Sequence, residues 1–132
     1  MNTKILMMAS SIFMGTIGIG FTFIPKEIAE FFIEDTSQIS LLILQILGSA
    51  YLGFGMLNWM TKHNLIGGIY SRPLLIGNLA HFIGSSFALI KMVGHSVNHF
   101  ETILTLAIIY SFFALCFGDL IIGKNTQWWI KE

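Results

Sequence analysis

Residues Ile39–Thr61, ISLLILQILGSAYLGFGMLNWMT, run from end to end without a charged side chain. A bilayer core about 30 Å thick needs roughly 20 apolar helical residues, each adding about 1.5 Å. This stretch is long enough to cross. In hydrocarbon every backbone N–H and C=O must be satisfied within the segment, so the stretch reads as a helix. Three further stretches share its character. Ile5–Ile24 and Pro73–Ile90 are also free of charge, and Thr102–Gly123 carries only Asp119. The fold expected is an all-α membrane protein with four transmembrane helices, spans about 5–24, 39–61, 73–90 and 102–123. Short links between them predict an antiparallel up-down-up-down bundle.

Composition agrees. The chain has 132 residues, of which 55% are hydrophobic and 11% charged, against about 25% charged in an average soluble domain. Four spans leave almost nothing for a second domain, so 1–132 reads as a single integral membrane domain. The formal net charge is zero, and Lys and Arg are scattered, which argues against a nucleic-acid partner. Cys116 is the only cysteine; it permits no intramolecular disulfide and no CxxC pair. The first stretch is too long for the apolar region of a signal peptide and lacks an A-x-A site, so it is expected to stay as a span.

Lys4, Lys62, Arg72, Lys124 and Lys131 fall on one side of the four spans, Lys26 and Lys91 on the other. The positive-inside rule therefore predicts that both termini are cytoplasmic. Trp59, Trp128 and Trp129 share that side, where amphipathic indoles anchor at the headgroups. Between the first two spans, Ile24, Ile28, Phe31 and Phe32 recur at helical spacing opposite Glu27, Glu30 and Glu34. With Pro25 in a first-turn position, this predicts a short interfacial helix after the first span. Asn64, Gly67 and Gly68 mark the next link as a loop.

Small residues repeat four apart: Ser11 and Gly15, Thr16 and Gly20, Ser49 and Gly53, and Ala80, Gly84 and Ala88. In lipid, close backbone approach across such residues drives helix pairing. They serve equally for packing within one chain or for a homo-oligomer or membrane-protein partner. The runs Gly15-Thr-Ile-Gly18-Ile-Gly20 and Gly53-Phe-Gly55 look like fragments of phosphate loops. They lie inside spans with no preceding strand and no Lys-Ser/Thr, so that reading fails.

Polar groups inside the spans are the candidate site. An Asp near a helix centre costs about 2.5–3.5 kcal/mol on insertion scales, so Asp119 is expected to face the bundle interior near Arg72, His81 or the second span. Asn58, Asn78, His81 and Asp119 lie roughly 6–14 Å from the cytoplasmic boundary, with Arg72 at the mouth and Ser10 and Ser11 at similar depth. Either these groups form structural hydrogen bonds between helices, or they line a ligand pocket or short proton path open to the cytoplasm. No serine-centred motif accompanies His81, so no catalytic residue is assigned. His95 and His99, with Glu101, are weak metal candidates. They need one helix running through both histidines, and a third ligand. The sequence identifies no cofactor.

Phe-Ile-Pro at 23–25, the amphipathic piece through Glu34, and Leu47-Gly-Ser-Ala-Tyr-Leu-Gly-Phe-Gly-Met-Leu-Asn58 resemble the DoxX-like group of small four-helix membrane proteins. The resemblance is clearest in the first half of the chain. It implies a bacterial inner-membrane protein of the kind linked to quinone-related oxidoreductase subunits or to assembly of other membrane proteins. It carries no catalytic residue across, and the single cysteine weighs against thiol chemistry. The leading expectation is a non-catalytic accessory or lipophilic-ligand-binding protein. The alternative is an oxidoreductase component or small enzyme acting on a quinone-like substrate through the Asn/His/Asp pocket. A proton-coupled carrier is a third reading, for which four helices leave little room without dimerisation.

Overall fold

The computed structural model describes residues 3–32, 36–63, 71–95 and 99–128. These form α1 (Thr3–Phe23), α2 (Pro25–Phe32), α3 (Gln38–Thr61), α4 (Ser71–Val93) and α5 (Phe100–Trp128), with no strand among the described residues. α1, α3, α4 and α5 correspond to the four expected spans, and each is long and apolar enough to cross a membrane. Glu34, Asp35, the loop residues Asn64, Gly67 and Gly68, and the terminal Trp129 and Lys131 lie outside the described residues.

Helix limits reach beyond the apolar limits, because charge ends hydrophobicity without ending a helix. α4 begins at Ser71 and carries Pro73 in its first turn, where the missing N–H breaks no helical bond. It continues past Lys91 to Val93, and α5 continues past Gly123 to Trp128. Ends are set by local chemistry. Ile24 separates α1 from α2, as expected of a residue biased away from the α region by the proline after it. Ser37 is extended and its side chain accepts from Ser40 N, capping α3. His95 turns its ring back so that Nδ1 donates to the Lys91 carbonyl at 3.0 Å. His99, at φ 61°, is a left-handed residue whose carbonyl accepts from Thr102 N and Ile103 N at the start of α5.

The chain divides into two compact units, one containing α1, α2 and α3 and the other α4 and α5. In the first unit, Ser10 meets Asn58, Ser11 meets Gly55, and Thr22 meets Gly48. Numbers rise along α1 as they fall along α3, so the two helices run antiparallel. Their approach depends on glycine. A Cβ on Gly18 would lie 2.8 Å from Leu52 N and 2.9 Å from Gly48 O, and one on Gly48 would lie 2.8 Å from Thr22 N. Backbone cannot yield as a flexible side chain can, so these two positions exclude any larger residue without separating the helices. α2 adds Ile28 beside Gly20 and a Lys26–Glu30 ion pair of 3.7 Å on its exposed side.

The second unit packs by aromatic rings. Phe82 on α4 is fully buried and stacks on Phe113 at 4.9 Å and Phe117 at 5.6 Å between centroids. Leu79 lies against Gly118, while Ile90 and Leu104 share a groove further along. These pairs make α4 and α5 antiparallel too. Here large side chains fill the interhelical space that backbone contact closes between α1 and α3.

Candidate functional site

The polar residues singled out from the sequence divide between the two units. Asn58 belongs to the α1–α3 pair and is fully buried. Its Nδ2 donates to Ser10 Oγ at 3.1 Å, with Met14 Sδ at 3.8 Å. Ser10 Oγ in turn donates to the Met7 carbonyl, and Ser11 Oγ donates to the Gly55 carbonyl at 2.6 Å. This is a polar seam between two helices, the arrangement a structural hydrogen-bond network takes.

Asn78, His81 and Asp119 belong to the α4–α5 pair. Asn78 is fully buried and donates to the Leu74 carbonyl one turn earlier. His81 is half-buried among rings, 5.3 Å from Phe82 and 6.0 Å from Tyr110. Asp119 is exposed on α5 and makes no ion pair among the described residues. Arg72 is exposed near the start of α4.

Asp119 does not line the same surface as His81. It lies at one end of a groove of about 670 Å³ whose α4 wall is Leu79, Ile83, Ser86, Phe87 and Ile90, while α5 contributes residues from Ser111 to Ile122. Leu79 and His81 are about 200° apart around the helix. His81 therefore lies on the Tyr110 side of the pair, and Asp119 opens on the other. Ser86 Oγ donates to the Phe82 carbonyl at 2.7 Å, so that hydroxyl is committed to its own helix. Asp119 is thus the charged group of an otherwise mostly apolar wall. The volume falls in the range of small-molecule sites, about 300–1,000 Å³. A second hollow of about 490 Å³ shares Ile90, Ser111 and Leu115 and extends the groove to Val93 and Leu104. The α1–α3 pair carries a smaller hollow of about 240 Å³ beside Gly15 and Trp59.

Sequence reasoning named Asp119 and missed its surroundings. A signal was present: Ser111, Ala114, Cys116 and Gly118 concentrate small side chains on the same stretch of α5, leaving room beside the carboxylate. The metal candidates are placed differently from what their chemistry needs. His95 lies beyond the end of α4 and His99, left-handed at φ 61°, just before α5, so neither histidine stands on a helix. Among the described residues no group of three or more metal-ligating side chains assembles. Trp59 lies at the end of α3 with Lys62 Nζ 3.0 Å over its ring, a cation–π contact suited to the water interface.

Four spanning-length apolar helices define the class: a small multi-pass helical membrane protein. No protein-family model matches the chain, and neither do curated proteins or solved structures.

Proposed function

We propose that this is a non-catalytic accessory protein of the membrane that holds a lipid-soluble ligand in the α4–α5 groove. The observation that supports this is the groove itself: an apolar wall of ligand-sized volume with one carboxylate, Asp119, at its end. A few placed polar groups in a mostly apolar hollow are the usual composition of a site that orients a lipophilic molecule. The Asn58–Ser10–Ser11 seam belongs to helix pairing in this reading. Kinship with the DoxX-like group, both termini in the cytoplasm, a bacterial inner-membrane location and an interfacial position for α2 are parts of the same proposal. The supports for these are the Phe23–Pro25 and Leu47–Asn58 motifs and the distribution of Lys and Arg.

The test is organic extraction and mass spectrometry of the full chain purified in mild detergent, beside a Gly118→Phe variant. Gly118 lines the groove and a Cβ there meets only Leu79 Cδ1, at 3.8 Å, so a larger side chain at this position extends toward the groove. A lipid or quinone retained by the wild type and lost from the variant is the expected result. Equal retention by both proteins rules the groove out as the site. Recovery of a quinone would favour the oxidoreductase reading over the accessory one.

A further inference from the structure

We infer that the α4–α5 groove takes one acyl chain of a bilayer phospholipid whose headgroup carries a primary ammonium, with that ammonium paired to Asp119. This rests on the groove reading above and adds the class of ligand. Three observations carry it.

The first is depth. The uncharged run of α5 beyond Asp119 ends at Gly123, before Lys124, four residues and so about 6 Å further along the helix. A carboxylate there lies just inside the headgroups, where a charge costs less than at the helix centre and a headgroup can reach it. The second is length. The joined hollows run from Ile122 to Leu104 on α5, about 27 Å at 1.5 Å per residue. One leaflet of hydrocarbon is about 15 Å deep, so an extended acyl chain starting at the headgroups lies wholly within the groove. The third is charge. Asp119 makes no ion pair among the described residues, and Gly118 beside it leaves space for a headgroup to approach. A cation is attracted to this end of the groove and an anionic headgroup is repelled. An ammonium donates hydrogen bonds to a carboxylate, which a quaternary amine cannot do.

The test uses native mass spectrometry of the full chain in detergent, titrated with dioleoylphosphatidylethanolamine or dioleoylphosphatidylglycerol. At the strength of an exposed ion pair, the wild type should prefer the ethanolamine lipid roughly three- to fivefold. Asp119→Asn should bring the two lipids to parity, and Gly118→Phe should weaken both. Blocking the amine by N-acetylation should abolish the preference in the wild type, a measurement that needs no variant to fold. Equal binding of both lipids by the wild type, or a preference that survives Asp119→Asn or N-acetylation, overturns the headgroup assignment and leaves the groove reading standing. Undiminished binding of both lipids by Gly118→Phe overturns the groove reading itself.

Discussion

Asn58 and Ser10 meet across the α1–α3 interface, Nδ2 to Oγ at 3.1 Å, with both residues fully buried. The serine is also tied to its own helix through the Met7 carbonyl, so Asn58 docks on a hydroxyl already held in place. Such a contact fixes the register of two helices more than it stabilises them. In a membrane the separated helices find other polar partners, and interhelical polar contacts average only about 0.6 kcal/mol.

A double-mutant cycle on Ser10→Ala and Asn58→Ala should therefore return a coupling of about 0.6 kcal/mol. Unfolding in mixed micelles by a helix-denaturing detergent measures it. A coupling above about 2 kcal/mol would contradict a purely structural seam of ordinary strength.

Glycine positions should sort by what faces them. Gly48→Ala places a methyl against the backbone of Thr22 and should cost about 1–3 kcal/mol, as overpacking does. Gly84→Ala meets nothing within 4 Å, and alanine is better in a helix than glycine by about 1 kcal/mol. The same unfolding assay should show the first variant weakened and the second unchanged or strengthened. Equal behaviour of the two would mean that α1 and α3 do not touch at Gly48.

In the α4–α5 pair, Phe82→Ala removes a ring held between Phe113 and Phe117. Lipid is as apolar as the protein core, so most of the transfer contribution is absent and the loss comes from unfilled space and lost dispersion contacts. About 2 kcal/mol is expected. His81→Phe keeps a ring beside Tyr110 and Phe82 and should leave lipid retention unaltered. Loss of a retained ligand from a stable His81→Phe protein would move the site to the Tyr110 face of the pair.

Orientation is open to direct chemistry. In a Cys116→Ser background, a cysteine at Asn2 should resist a membrane-impermeant maleimide on intact cells, and one at His95 should react. The reason is the distribution of Lys and Arg, five against two. Labelling at position 2 from outside would invert the topology.

The sequence by itself determined the four spans, because the requirement is one-dimensional: enough consecutive apolar residues to cross about 30 Å with every backbone group bonded internally. It also located the polar residues by depth, since rise along a helix is constant. Which of those residues meet was a matter for tertiary structure. Asn58 with Ser10, and Phe82 with Phe113 and Phe117, depend on how each helix is rotated about its axis. That rotation follows from close packing at Gly18 and Gly48 in one pair and from ring stacking in the other. His81 and Asp119 show the limit most clearly. They share a depth in the sequence, yet a 200° separation between Leu79 and His81 on one helix places Asp119 beside the first and away from the second. Periodicity orders residues along a helix; only contact between helices decides which faces become a shared wall.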